Sequence, residues 1–208
     1  MSTLNVLEIL NIFGLFVFAI SGALRALRQD MDFFGVALLA FVTGVGGGTI
    51  RDVLLGFFPV WWIENISAVF ICLAGAIVAT LAQSVLDSRI KALIWADALG
   101  LSAFAILGAQ SALGAGAHPV IAIFMGAVTA TFGGVVRDVL LNEPPLILKQ
   151  DIYATAAMLG AAAYIGLLEL GLAAAAAAPL AALITFAIRG ASILFNIPSP
   201  KFGHPPRQ

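Results

Sequence analysis

The chain has 208 residues, of which 62% are hydrophobic and 10% charged, and its formal net charge is −1. A soluble domain carries about 25% charged residues, so too few are present here to cover a water-facing surface. Apolar stretches of about 20 residues recur from end to end, each long enough to cross a bilayer. The composition therefore predicts an all-α polytopic membrane protein without a soluble module, and the lack of a basic cluster speaks against a nucleic-acid partner.

Seven transmembrane helices are predicted, and together they form a single transmembrane domain over residues 1–198. The proline-rich segment 199–208 is predicted to be a mobile C-terminal tail. The seven spans, in chain order, cover residues 4–24, 33–57, 65–86, 92–113, 119–141, 152–172 and 174–196.

Basic residues of the connectors fall on one side of the membrane in this arrangement. The connectors after the first, third and fifth spans carry Lys or Arg, whereas the N-terminus, 58–64 and 114–118 carry none. The positive-inside rule then predicts a cytoplasmic C-terminus and an external N-terminus in the cell (inner) membrane. The basic connector residues are Arg25, Arg28, Arg89, Lys91 and Lys149.

One unusual motif occurs twice, 86 residues apart: GGTIRDVLL at 47–55 returns as GGVVRDVLL at 133–141. A match at fixed spacing indicates an internal duplication, with repeat one at about 4–86 and repeat two at about 90–172. Each repeat holds three spans, an odd number, so the second is predicted to enter the membrane inverted relative to the first. The seventh helix, 174–196, has no counterpart. The same spacing relates Gly14 to Gly100, Phe18 to Phe104, Gly22 to Gly108, Thr43 to Thr129 and Pro59 to Pro145.

Glycines cluster in the second and fifth spans, directly before the repeated Arg-Asp pairs. Glycine costs about 1 kcal/mol relative to alanine in a helix interior, so these clusters predict a loosened or kinked helix halfway across the bilayer. Irregular backbone at that depth is tolerated only when it is buried in protein or lines a wet cavity. Close helix packing is the alternative interpretation. The glycines concerned are Gly46, Gly47, Gly48, Gly133 and Gly134.

Four threonines accompany these glycines: Thr43, Thr49, Thr129 and Thr131. Their hydroxyls, together with main-chain carbonyls freed at a break, are suitable oxygen ligands for a dehydrated monovalent cation. The dipoles of broken helix ends favour cations at one end and anions at the other, so geometry alone leaves the sign of the ion open.

The repeated pairs Arg51-Asp52 and Arg137-Asp138 lie within hydrophobic spans. A lone charge at a helix centre costs roughly 2.5–3.5 kcal/mol, so each needs a partner. Because adjacent side chains point about 100° apart on a helix of 3.6 residues per turn, we expect partners on other helices, such as Arg51 with Asp138. The pairs are interpreted either as an ion-pair clamp between the repeats or as a charged ring or gate in a pore.

Enzymatic chemistry is not indicated. The two histidines are far apart, no Cys/His cluster has metal-ligand spacing, and no nucleophile–base motif is present. The glycines at 44–48 lack the strand that a dinucleotide-binding loop must follow. No cofactor is predicted, and no metal beyond permeating ions.

The duplicated glycine-Arg-Asp motif, the two three-span repeats and the seventh span resemble the prokaryotic branch of the trimeric intracellular cation (TRIC) channel family. The resemblance covers about residues 5–196. It implies a homotrimer in which each subunit has its own pore for K⁺ and, less selectively, Na⁺. It also implies that the first, second, fourth and fifth spans line this pore, with kinks at Gly46–Gly48 and at Gly133–Gly134. Animal members carry a basic residue in span four tied to voltage and lipid control; span four here, with Asp97, Ser102 and Gln110 among its polar side chains, has none.

Three functions follow as hypotheses. The first is a passive monovalent cation channel, narrowest at the glycines, in which Arg51 and Arg137 repel divalent cations or fasten a gate. The second is an alternating-access carrier for a small amino acid such as glycine, because inverted repeats with broken helices suit that mechanism equally well. The third is a scaffold whose repeats serve packing alone. Expected partners are K⁺, Na⁺, membrane lipids and two further copies of the chain.

Overall fold

The structure, a computed structural model, describes residues 5–83, 89–149, 152–195 and residue 197. Within these residues the chain forms nine α-helices. In chain order they are α1 (Val6–Leu27), α2 (Phe33–Leu55), α3 (Trp61–Glu64), α4 (Ser67–Ala82), α5 (Arg89–Gly114), α6 (Pro119–Leu140), α7 (Leu146–Lys149), α8 (Ala154–Glu169) and α9 (Ala174–Phe195).

Five of these helices, α1, α2, α5, α6 and α9, are long and apolar enough to cross a membrane. Helices α4 and α8 are also apolar, but each has 16 residues and follows a four-residue helix, α3 or α7. The predicted all-helical membrane class is confirmed. The crossing of the bilayer by α4 and α8, which would give seven spans, stays a prediction. The predicted tail 199–208 lies outside the described residues, as do the predicted span ends at residues 4, 84–86 and 196.

Several helices begin at residues whose side chains are typical helix caps. Asn5 and Glu8 form a capping box at the start of α1, with reciprocal hydrogen bonds of 2.9 Å. Asp32 caps α2 by accepting from the Gly35 amide at 2.8 Å. His118 caps α6 and is followed by a proline at its first position, as the sequence predicts.

Helices α1 and α5, which are equivalent in the two repeats, form the centre of the molecule. The rings of Phe18 and Phe104 stack there with centroids 5.3 Å apart and an interplanar angle of 10°. Helix α2 packs on α1, α6 packs on α5, and α2 and α6 contact each other. Around this centre, α4 covers α1, α8 covers α6, and α9 packs on α5 and α8.

The outer faces of the helices are apolar and the polar groups lie inside. Phe34, Phe58 and Leu81 are each at least 70% exposed, whereas Arg25, Arg137 and Arg189 are no more than 2% exposed. Such a surface in water would present very large apolar patches. Lipid is the solvent that suits it, and charges buried within the bundle are the arrangement that membrane proteins use.

Candidate functional site

The glycines of α2 and α6 lie where the two helices touch, and the contact is reciprocal. A Cβ atom added to Gly47 would overlap the carbonyl oxygen of Thr129, and one added to Gly133 would overlap that of Thr43. The two contacts are equivalent, because the 86-residue spacing relates Gly47 to Gly133 and Thr43 to Thr129. The repeated glycines therefore bring two backbones together at a distance that no other residue type allows.

Both helices are continuous through their glycine clusters, so the predicted loss of helical winding is wrong. The α-helical segments Phe33–Leu55 and Pro119–Leu140 contain Gly46–Gly48 and Gly133–Gly134 without interruption. The weak helix propensity of glycine, about 1 kcal/mol per position, is overcome by the packing that its missing side chain permits. Because the helices are unbroken, the free carbonyl ligands that were expected at a break are also not present at these glycines. A bend within a continuous helix stays a prediction.

A small cleft, partly open to the outside of the helix bundle, lies beside α2, between α1, α3 and α5. We call it the α2 cavity. It reaches the backbone of Gly48 and the repeated pair Arg51-Asp52, and Phe104 of the other repeat forms part of its wall. Its lining consists of Asn11, Leu15, Gly44, Val45, Gly48, Thr49, Arg51, Asp52, Trp61, Trp62 and Phe104.

Among the four candidate threonines, Thr49 lines the α2 cavity. Its hydroxyl donates to the Val45 carbonyl at 2.9 Å and accepts from Trp62 Nε1 at 3.1 Å. The hydroxyls of Thr43, Thr129 and Thr131 are buried and donate to carbonyls one turn earlier in their own helices, at 2.6–2.8 Å. In this conformation one threonine is placed to meet a solute and three are occupied by their own helices.

Arg51 and Asp52 pair with each other, contrary to expectation. Arg51 Nε donates to Asp52 Oδ1 at 2.8 Å, and Asp52 Oδ2 accepts from the backbone amide of Trp61 at 2.9 Å. Adjacent Cβ atoms do diverge, but the long arginine side chain turns back far enough to reach its neighbour. The carboxylate thereby fastens the end of α2 to the start of α3.

Arg137 and Asp138 repeat this arrangement at the end of α6. Arg137 Nε donates to Asp138 Oδ1 at 2.8 Å, and Asp138 Oδ2 accepts from the amide of Leu146 at 2.9 Å. Arg137 has further partners that Arg51 does not share. Its Nη1 donates to Asp97 Oδ1 of α5 at 2.9 Å and to Ser21 Oγ of α1 at 2.6 Å.

Repeat one contributes another arginine, Arg25, to the charged groups around Arg137 and Asp138. Arg25 Nε lies 3.6 Å from Asp138 Oδ1, and Arg25 also pairs with Glu143 in the loop after α6. Gln29 reinforces this connection by donating to Glu143 Oε1 at 3.2 Å. The predicted cross-repeat pair of Arg51 with Asp138 is therefore wrong: Asp138 does receive an arginine from repeat one, but it is Arg25. Helix α1 continues to Leu27, three residues beyond the predicted span, and this extension buries Arg25.

The extra helix α9 adds a third arginine. The Arg189 guanidinium carbon lies 5.1 Å from the centre of the Tyr153 ring, and its Nη1 donates to the Ile152 carbonyl at 3.0 Å. The Tyr153 hydroxyl in turn faces Asp97 and Arg137. We call Ser21, Arg25, Asp97, Arg137 and Asp138 the α6 charge cluster, with Tyr153 and Arg189 on its flank.

Pairing makes the burial of so many charges tolerable. Arg25 and Arg137 form ion pairs with Asp97, Asp138 and Glu143. Arg189 is held instead by the Tyr153 ring and the Ile152 carbonyl. An unpaired charge at this depth would cost several kcal/mol, whereas removal of one partner from a buried pair costs about 3–5 kcal/mol. The α6 charge cluster accordingly connects α1, α5 and α6 through ion pairs and hydrogen bonds. Whether the pairs act as a clamp or as a gate stays a prediction.

Sequence reasoning missed Arg25, Tyr153 and Arg189 as members of this site, and it named Asp97 only among the polar side chains of span four. Arg25 and Arg189 lie near the ends of apolar runs, where basic residues are expected at the interface. One signal was available: at the 86-residue spacing, Asp97 replaces Asn11, so the repeats differ in charge at one equivalent place.

Known proteins resemble this chain over most of its length. A family model described as Glycine transporter matches residues 8–84 and 94–169. The UPF0126 inner membrane protein YadS of Escherichia coli (strain K12) is 44% identical over 156 residues, which cover 73% of each chain. The UPF0126 membrane protein of Vibrio cholerae is 37% identical over 203 residues, 95% of this chain and 83% of the relative.

A solved structure is similar in fold and sequence together. The TRIC trimeric intracellular cation channel orthologue from Rhodobacter sphaeroides is 47% identical, with a TM-score of 0.88 over 92% of this chain and 99% of that one. The resemblance drawn from the duplicated motif is thereby confirmed. The chain belongs to the UPF0126 membrane proteins, the bacterial TRIC family.

Proposed function

We propose that the protein is a passive channel for monovalent cations, K⁺ and also Na⁺, and that it works as a homotrimer with one pore in each subunit. The observation that carries the proposal is the match to the Rhodobacter sphaeroides TRIC channel, at 47% identity and a TM-score of 0.88. At this similarity over nearly the whole chain, the helices that frame the α2 cavity and the α2–α6 contact have direct counterparts there.

The pore is proposed to run between two inverted three-helix repeats, with the seven longer helices crossing the inner membrane. The reciprocal contacts of Gly47 with Thr129 and of Gly133 with Thr43 support a two-fold relation between α2 and α6. Such repeats place solute sites at their interface near the midplane. The N-terminus is proposed to face the outside and the C-terminus the cytoplasm.

The α2 cavity is proposed to be the entrance on one side of this pore. Thr49 offers a hydroxyl there, and Gly48 exposes helix backbone. The hydroxyls of Thr43 and Thr129 pack against Gly22 of α1 and Gly108 of α5, and Thr131 is buried. Their pore-lining role is therefore assigned to an open state in which the surrounding side chains or helices have moved. We assign the present conformation to a closed state, and the close approach of the backbones at Gly47 and Gly133 supports this assignment.

Arg51 is proposed to select for charge rather than to exclude cations. Its guanidinium lies on the cavity, with 13% of the side chain exposed, and Asp52 balances it at 2.7 Å. A neutral pair leaves little net field for a monovalent ion. A divalent ion of the same size experiences twice the residual repulsion from the nearer guanidinium, because Coulomb energy scales with charge.

Single-channel recording of the purified protein in planar bilayers tests this function. The expected result is a K⁺ current with smaller Na⁺ permeability and little Ca²⁺ current. Absence of K⁺ current from protein that is folded and trimeric would contradict the proposal. Saturable uptake of radiolabelled glycine into proteoliposomes without such current would instead assign the alternating-access carrier.

A further inference from the structure

Gly48 and Gly134 occupy equivalent positions in the two repeats, yet their surroundings differ. A Cβ atom on Gly48 would meet a single atom within 4 Å, Arg51 Nη2 at 3.9 Å. One on Gly134 would lie 3.3 Å from the Tyr153 hydroxyl, 3.4 Å from Arg137 Nη2 and 3.4 Å from Asp97 Oδ1. The space that is open beside α2 is therefore filled with polar groups beside α6.

Burial of the equivalent side chains agrees with this difference. The Arg51 side chain is 13% exposed, whereas that of Arg137 is fully buried. Asn11 is partly exposed on the α2 cavity, whereas its equivalent, Asp97, is buried. The equivalent space is therefore open in repeat one and filled with side chains in repeat two.

The Tyr153 ring accounts for the filling. Tyr153 is the residue before α8 and is buried at 1% exposure. Its equivalent at the 86-residue spacing is Ser67, the first residue of α4, whose side chain has no ring. Repeat one therefore places no ring at the corresponding position, and its cavity stays open.

Helix α9 holds this ring from behind. Arg189 stands over the ring at 5.1 Å and is tied to the chain next to it through the Ile152 carbonyl. A guanidinium over a ring face attracts it, and the attraction is stronger when both are removed from water. Helix α9 has no counterpart in repeat one, so the described residues of repeat one contain no equivalent of Arg189.

We propose that Tyr153, held by Arg189, closes the repeat-two half of the pore by filling the counterpart of the α2 cavity. This inference rests on the proposed channel function. Displacement of the Tyr153 ring would expose the repeat-two face of α6 to water. The α2 cavity is already exposed in the present conformation.

Cysteine labelling tests this closure without any current being measured. Cys72 is the chain's one cysteine, so Cys72→Ala provides a background for single introduced thiols. Val45→Cys places a thiol on the α2 cavity, and Thr131→Cys places one at the equivalent position of α6. Each purified variant is treated with a trimethylammonium-ethyl methanethiosulfonate reagent, and modification is followed by intact-protein mass spectrometry.

The expected result is fast labelling at Val45→Cys and slow labelling at Thr131→Cys. Addition of Tyr153→Ala should accelerate labelling at Thr131→Cys by about tenfold or more, because labelling follows the population of the open form. The same substitution should leave the rate at Val45→Cys unchanged. Fast labelling at Thr131→Cys with Tyr153 intact, or no acceleration by Tyr153→Ala, would overturn the proposal.

Tyr164→Ala is the matched control. Tyr164 is equally buried and lies in α8, but its hydroxyl bonds to Gln110, away from the α6 charge cluster. Equal acceleration by Tyr164→Ala would show general loosening of α8 and would contradict a specific role for Tyr153. Should Tyr153→Ala fail to assemble, Arg189→Gln provides the same test: the ring stays, its cation is lost, and labelling at Thr131→Cys is again expected to accelerate.

Current recorded from the protein without these substitutions separates the two claims. If the protein passed no current, the channel proposal would fail, but the labelling rates would still show which of the two cavities is closed. A channel with K⁺ current whose repeat-two face is labelled regardless of Tyr153 would retain the proposed function and reject the closure.

Discussion

The two Arg-Asp pairs have the same local geometry but different environments. In both, the arginine Nε donates to its neighbouring aspartate at 2.8 Å, and the second carboxylate oxygen accepts a backbone amide of the next helix at 2.9 Å. The pair in repeat one borders an open cavity. The pair in repeat two is sealed among side chains from α1, α5 and α6.

Residues that are not duplicated cause this difference. Asp97 replaces the uncharged Asn11, and Arg25 of α1 has Ser111 as its equivalent in α5. A duplicated motif thus preserves its own hydrogen bonds, while its unduplicated neighbours decide whether it is a solvated site or a buried joint.

Arg137→Gln is expected to destabilise the protein more than Arg51→Gln. Loss of Arg137 leaves Asp97 without its hydrogen-bonded cation in a buried place, and breaking such a pair costs about 3–5 kcal/mol. Loss of Arg51 leaves Asp52 buried but still bonded to the Trp61 amide and next to the α2 cavity, so a smaller cost of about 1–3 kcal/mol is expected. Thermal unfolding of both variants in the same detergent measures the difference. Equal losses would show that the two environments are alike.

Gly47→Ala and Gly133→Ala are each expected to cost about 1–3 kcal/mol, the usual penalty of overpacking. The added methyl group of either variant would overlap a carbonyl oxygen of the facing helix. That oxygen belongs to the backbone and cannot rotate away as a side chain can. Gly48→Ala is the matched control on the same helix, because open space surrounds it, and the better helix propensity of alanine should leave stability unchanged or higher. The fraction of folded protein after heating, read by size-exclusion chromatography, distinguishes them. A harmful Gly48→Ala beside a harmless Gly47→Ala would refute the α2–α6 contact.

Arg25 and Glu143 are expected to be energetically coupled. Their ion pair joins the end of α1 to the loop after α6, and Glu143 is partly exposed, so a coupling of about 1 kcal/mol is expected from a double-mutant cycle. The cycle consists of Arg25→Gln, Glu143→Gln and the double variant. Additive losses would mean that the two side chains act independently. Ser111, the equivalent of Arg25, should tolerate alanine without effect.

Thr49→Val is expected to have the smallest effect on stability, about 1 kcal/mol. It removes the hydrogen bond that Thr49 accepts from Trp62 Nε1 and the one that it donates to the Val45 carbonyl of its own helix. Its effect on ion flow should be clearer, since Thr49 lines the α2 cavity and its hydroxyl is available to an ion. We expect a lower unitary K⁺ current for Thr49→Val in planar bilayers. Thr131→Val, whose hydroxyl is buried against its own helix, serves as the comparison. A change in current at Thr131→Val alone would reverse the assignment of the two cavities.

Much of the architecture follows from local patterns that survive in the chain. Long apolar runs predict the helices, caps such as Asp32 and His118 mark where they begin, and the 86-residue spacing reveals the duplication. Phe18 and Phe104, which are equivalent at this spacing, stack at the centre of the fold, although the sequence did not predict that contact. These features depend on neighbours in sequence or on exact repetition.

The role of the glycines was harder to predict because one composition serves two purposes. A cluster such as Gly46–Gly48 both weakens a helix and allows another backbone to approach, and the sequence contains no information on which neighbour is present. In the fold, α6 is present, and its carbonyls occupy the space a side chain would need. Tertiary packing therefore decides in favour of a continuous helix.

The charge partners were unpredictable for a related reason. Arg25, Arg189 and Tyr153 come from α1, α9 and the start of α8, and their convergence depends on how distant helices pack. Basic residues near the ends of apolar runs are expected at the interface, yet an extra turn of α1 buries Arg25. Nothing local distinguishes such a residue from a truly interfacial one.

Recording K⁺ current from Val45→Cys in the Cys72→Ala background, before and after treatment with the trimethylammonium thiol reagent, tests most directly whether ions pass through the α2 cavity. The account predicts that attachment of the bulky cation sharply reduces the current at Val45→Cys and that the Cys72→Ala background is unaffected. Complete modification of Val45→Cys, verified by mass spectrometry, with the current unchanged would contradict it.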